Sequence, residues 1–256
     1  MAEFINRHPA LSHFVLAFLL GTFPLILVVM EVAPTGFAQM GALSASLAAF
    51  LLAGLEGGRK SIIALLRRAL IWRVGFGWWL VAVLYLAPVA LIALIISALS
   101  GNAFFEPSSL RPLYTVLPMM IVLIVLAGLG EEWGWRGYLL PKLQQRHNAL
   151  ISSLIVGVFH SLWHIPLFMV EGTAQYGWAA DVGFLSAFLG YALFVIAWAV
   201  QLTWVFNNTG GSVLMVAVVH GAGNAWIGGR RFLLGGWFLV RWNFVILLVC
   251  IVIVII

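Results

Sequence analysis

Three short stretches of this 256-residue chain carry polar side chains at spacings that suit chemistry: "EEWGWR" from Glu131 to Arg136, "FHSLWH" from Phe159 to His164, and "HGAGN" from His220 to Asn224. Residues i and i+4 share a helix face, so Glu132 and Arg136 stand in the favoured Glu-before-Arg order for an ion pair. Glu131 points about 100° away around the helix and need not share that arginine. One carboxylate can then be structural while its neighbour stays free as a proton acceptor. The plainer alternative is an interfacial ion pair with no chemistry.

His160 and His164 are also four apart, so both rings can meet on one helix face. That spacing suits a divalent metal, but "HSLWH" lacks the glutamate after its first histidine that marks the common zinc-protease helix. Pro166 follows two residues later, where it loosens backbone hydrogen bonding and can widen a cavity. For either histidine alone, a buried hydrogen-bonded ring is the competing reading. His220 and Asn224 repeat the spacing, with Gly221, Ala222 and Gly223 keeping the wall between them small. An imidazole N–H and an asparagine amide are suitable donors to a developing oxyanion. The same pair could instead be hydrogen-bonding glue between helices.

The elements that must position these groups are membrane helices. The chain is 64% hydrophobic and 8% charged, against about 25% charged in a soluble domain. Its apolar runs are continuous, without the alternation of barrel strands, and each helical crossing needs about 20 residues. Spans are expected near 12–33, 37–56, 76–99, 113–133, 149–170, 183–206, 211–229 and 235–256. The fold class expected is therefore all-α: a polytopic bundle of about eight spans, one integral membrane domain over 1–256, without repeats. A span ending near 133 puts Glu131 and Glu132 at the membrane boundary. A polar or ionisable group inside a span is costly and marks a functional site by default.

The net charge is +5, and its placement matters more than its sign. Basic residues cluster at Arg59 to Arg73 and Arg136 to Arg146, flanking apolar spans, so they read as topology determinants and a nucleic-acid partner is not expected. Placing Arg7 inside puts those clusters inside and the loop of Glu171 and Asp181 outside, with both termini cytoplasmic. Arg230 and Arg231 fall on the wrong side, which leaves the orientation of the last hairpin open. The N-terminal apolar run is longer than a signal h-region and reads as a retained span. Short loops and no organelle-targeting segment point to a prokaryotic plasma membrane. In "GGRKSIIALLRRALIWRVGFGWW", Ile62, Ile63, Leu65, Leu66, Leu70 and Ile71 recur near helical spacing against Arg67 and Arg68. This suits an amphipathic helix lying in the headgroup region, anchored by Trp78 and Trp79; the plainer alternative is a simple cytosolic connector. The single cysteine, Cys250, leaves nothing for an intrachain disulfide.

In order, the three motifs resemble the CPBP family of CAAX proteases and bacteriocin-processing enzymes, which includes the Ras-converting CAAX endopeptidase. Its pattern is EExxxR, FxxxH, HxxxN; "EEWGWR" and "HGAGN" match fully, whereas His160 stands at the aromatic position of the second motif and His164 matches its histidine. The resemblance covers about residues 60–228. It implies an intramembrane endopeptidase with Glu131 as general base and His164 helping to hold and activate water. His220 and Asn224 would stabilise the oxyanion, with Glu132 and Arg136 as framework and His160 supporting. His164, His220 and Glu131 would be the ligand set for zinc; metal-free glutamate-based hydrolysis is the other option, and both stay open. The implied substrate is a membrane-associated peptide or protein, either a prenylated CAAX-type tail or a bacteriocin-like peptide, met in the presence of membrane lipid. Two rival classes are an ion-coupled transporter using the same residues as a relay, and a catalytically silent immunity or scaffold protein.

Overall fold

The computed structural model of the protein describes residues 2–84, 99 and 113–228. The expected last span at 235–256, the greater part of the third at 76–99, Cys250, Arg230 and Arg231 lie outside the described residues. Among the described residues the regular structure is helical throughout, and no strand is present. Among the described residues, five helical stretches are long and apolar enough to cross a membrane, and a shorter apolar helix covers Val213–Ala225. The chain is an integral, multi-pass membrane protein of all-α class.

After a short helix α1 (Ala2–Arg7), α2 (Pro9–Val29) makes the first crossing. A tight 3-10 stretch, Thr35–Leu43, leads into α3 (Ser44–Arg67). α3 is broken at Gly57 and Gly58, where φ of Gly58 is +59° with ψ −149°, a conformation that needs a residue without Cβ. The basic segment beyond that break therefore does not continue the axis of the part before it. α4 (Phe76–Leu84) follows, then a continuous helix α5 (113–144), α6 (Ala149–Trp163), a short α7 (Ala174–Val182), the long α8 (Phe184–Asn208) and α9 (Val213–Gly228).

α5 departs from the expected boundary. It does not stop near residue 133 but continues to Gln144, because Trp135, Tyr138, Leu139, Leu140 and Leu143 all bury their side chains in the core. The carboxylates therefore stand inside the bundle. α5 also widens twice into π-helical turns, Ile124–Leu129 and Trp133–Leu139, on either side of Gly130–Glu132. Such π-bulges shift the register of a helix and concentrate at functional sites.

Small residues let the helices close on this region. A Cβ at Gly128 would fall on the carbonyl oxygen of Ala217 in α9, and one at Gly221 on the backbone of Ile124 in α5. Gly134 meets the Ala45 carbonyl of α3, and Gly157 of α6 meets Ile196 of α8. Such close approach of backbones is how membrane helices gain packing where burial from water contributes little. At one end of the bundle the basic groups gather: Arg146 donates to the Arg7 carbonyl at 2.9 Å, Lys142 pairs with Glu56 at 2.8 Å, and Arg68 lies 5.5 Å over the Phe206 ring.

Candidate active site

Glu132 and Arg136 sit on consecutive turns of α5, and both are 0% exposed. Arg136 Nη1 donates to both carboxylate oxygens, at 3.0 and 3.1 Å. His220, from α9, donates Nδ1–H to Glu132 Oε1 at 2.6 Å. A carboxylate only accepts, so this contact assigns the proton to Nδ1 and directs Nε2 away from Glu132. Glu132 thus has a full set of cationic and polar partners, which a charge taken out of water requires.

Glu131 has different company. Its Oε2 lies 2.8 Å from His160 Nε2 of α6 and 3.9 Å from His220 Nε2. Its ion-pair partners are histidines alone; neither lysine nor arginine reaches it among the described residues. Glu131, His160, His164 and His220 are all buried. His164 caps the C-terminus of α6, the end remote from Asn148, and its Nδ1 donates to the His160 carbonyl at 2.9 Å. Because a carbonyl only accepts, His164 Nε2 keeps a lone pair for a water or a metal.

Donor atoms of Glu131, His160 and His164 lie within 4.8 Å of one another. The trio brought together therefore contains His160 where the sequence reading named His220, whose ring stands 6.3 Å from that of His160 and is tied to Glu132. Two histidines and a carboxylate are a donor set that zinc accepts. Asn224, one turn beyond His220 on α9, is half-buried, and its side chain makes no hydrogen bond to another described residue.

Aromatic rings wall the cluster. Trp135 stacks on His160 with centroids 4.9 Å apart, Tyr191 meets His164 edge-on at 5.0 Å, and Trp198 lies 5.0 Å from His220. The sequence reading did not single out Tyr191 or Trp198, and no spacing rule ties α8 to α6. It also passed over His13, whose Nε2 donates to the Ala45 carbonyl at 2.9 Å while the ring meets Trp135 edge-on at 4.9 Å. An ionisable residue inside the first span was the available signal. Its bond is structural, joining α2 to α3 behind the site.

Residues 113–226 match the family model described as type II CAAX prenyl endopeptidase Rce1-like. The chain is also similar to the CAAX prenyl protease 2 of Methanococcus maripaludis, with 28% identity over 144 residues, covering 55% of this chain and 52% of that protein. It therefore spans about half the length of the curated relative it matches. Both comparisons bear out the resemblance to CAAX proteases that the motifs raised, and the matched segment contains every candidate site residue from Glu131 to Asn224.

Proposed function

We propose that the protein is an intramembrane endopeptidase of the CAAX-protease type, in which Glu131 activates water for attack on a peptide carbonyl. One observation carries the reading: of two adjacent buried carboxylates, Glu132 is neutralised by Arg136 and His220, whereas Glu131 is held only by histidines. A carboxylate with no fixed cation of its own can take and return a proton, as general acid–base catalysis demands.

Water placed between Glu131 and the free Nε2 of His164 loses its proton to Glu131 as its oxygen bonds to the carbonyl carbon. The carbonyl oxygen becomes an oxyanion, to which His220 Nε2–H, in the doubly protonated ring, and the Asn224 amide donate. Collapse of the tetrahedral species breaks the C–N bond, and Glu131 returns its proton to the leaving amine. Glu132 fixes the direction in which His220 donates, and His160 fixes the rotamer of Glu131. The proximity of Glu131, His160 and His164 favours a second version, in which those three hold a divalent metal. A bound metal would supply Lewis acidity and lower the pKa of its water.

The greasy, aromatic-walled setting and the similarity to a CAAX prenyl protease support a membrane-associated or prenylated peptide as substrate; a bacteriocin-like peptide is the alternative within the same chemistry. The gathering of Arg7, Arg68, Lys142 and Arg146 at one end supports a cytoplasmic placement of that end, in a prokaryotic plasma membrane. The deciding experiment incubates detergent-purified protein with prenylated and unprenylated peptides and reads products by mass spectrometry. Cleavage by the wild type, falling at least ~100-fold in a well-folded Glu131→Gln variant, is the expected result. Near-wild-type turnover by that variant would remove Glu131 from the chemistry. Zinc content of the same preparations separates the two versions: about one equivalent, lost in His164→Ala, supports the metal.

A further inference from the structure

Two neighbouring cavities open at the basic end of the bundle, along adjoining faces of the segment that follows the Gly57–Gly58 break. One, of about 480 Å³, is lined among others by Glu56, Ser61, Arg67, Arg68 and Lys142. The other, of about 460 Å³, is lined by Arg59, Lys60, Ile63, Ala64 and Arg67. Ala64 and Arg67 belong to both walls.

The charges of these walls do not cancel. Glu56 is the single carboxylate, and it is engaged by Lys142 Nζ and by the Tyr138 hydroxyl, each at 2.8 Å. Arg67 and Arg68 have no carboxylate within ion-pair distance among the described residues, and the second wall carries three cations and no anion. Uncompensated cations around a cavity attract an anion. The flanks say which kind. Leu66, Leu70, Trp72 and Phe76 border the same segment and stand exposed, Leu70 by 71% and Phe76 by 75%. A free inorganic anion would use none of that apolar surface, whereas a phospholipid uses both parts: headgroup among the arginines, acyl chains along the exposed rings and leucines.

We propose that the paired cavities around Arg67 hold the phosphate headgroup of an anionic phospholipid, with its chains against Leu66, Leu70, Trp72 and Phe76. The site is separate from the Glu131 cluster and stands whether or not the protein is a peptidase. Arg67 is shared because one guanidinium presents donors along two edges, which lets it meet phosphate oxygens from either cavity.

The test uses the full chain in detergent with phosphatidylglycerol, phosphatidylcholine or inorganic phosphate added, read by native mass spectrometry and by melting temperature. Phosphatidylglycerol is expected to stay bound and raise Tm, and the other two to do neither. An Arg67→Gln/Arg68→Gln variant should bind phosphatidylglycerol about 30-fold more weakly, at roughly fivefold per arginine. Ala64→Trp fills the shared wall without removing charge and should also lose the lipid, which covers the case of a double variant that fails to fold. Arg7→Gln, at the same end but outside both cavities, should bind as the wild type does. Equal retention of phosphatidylcholine would overturn the proposal. So would phosphatidylglycerol binding that survives Ala64→Trp, or inorganic phosphate producing the whole shift in Tm.

Discussion

Glu131 and Glu132 are chemically identical neighbours that the fold treats in opposite ways. Glu132 closes a buried network with Arg136 and His220, so Glu132→Gln leaves a buried guanidinium without its counter-charge. Breaking one side of such a pair costs about 3–5 kcal/mol, and the variant is expected to show a clear fall in Tm alongside lost activity. A Glu132→Gln protein that melts with the wild type would remove the framework role. Asn224 makes the contrasting case, since its side chain has no hydrogen bond to another described residue. Asn224→Ala should leave Tm nearly unchanged and reduce turnover by ~10²–10³, as loss of one oxyanion donor does. Asn224→Asp should be worse, because a carboxylate repels the developing charge. Full turnover in a folded Asn224→Ala would exclude the amide from the mechanism.

Among the elements, α5 decides whether these residues meet. Its π-helical turns flank Gly130–Glu132 and set the rotation at which the carboxylates face α6 and α9. Gly128 and Gly221 then let α5 and α9 approach until Glu132 reaches His220. Because the Gly128 contact is with the backbone of Ala217, no side-chain rotation can relieve a larger residue there. Gly128→Val is therefore expected to force the helices apart, lowering Tm and activity together. Gly77→Ala in α4, where an added Cβ meets nothing within 4 Å, should be silent or slightly stabilising. Equal melting temperatures for the two variants would show that the close approach is not needed.

At the scale of the molecule, the basic groups converge at one end through contacts spanning the chain, Arg7 with Arg146 and Glu56 with Lys142. His164 closes the end of α6 remote from Asn148, and so holds the site away from that helix start. On the proposed cytoplasmic placement of the basic end, a cysteine at Lys60 in a Cys250→Ala background should be closed to an impermeant thiol reagent in intact cells and open in inverted vesicles. A cysteine at Asp181 should do the reverse. The opposite pattern would invert the protein and place the loop of Glu171 and Asp181 in the cytoplasm.

Composition alone determined the class: so few charges and such long apolar runs leave only helices able to satisfy their backbones in lipid. Spacing alone made Glu132 and Arg136 partners, since i, i+4 geometry is local to one helix. What spacing could not carry was any relation between helices. That His160, not His220, lies at hydrogen-bond distance from Glu131 depends on the rotation of α5 against α6. That rotation is set by π-helical turns, which a 3.6-residue pattern does not contain, and by backbone contacts at Gly128, Gly134 and Gly157. The end of α5 was hidden for a related reason: charged and aromatic residues after 133 look like a loop in sequence, and only burial of Trp135, Arg136 and Leu139 against other helices makes them interior. A hydropathy pattern records what a segment is made of, while the packed bundle decides which of its faces ever meets lipid or water.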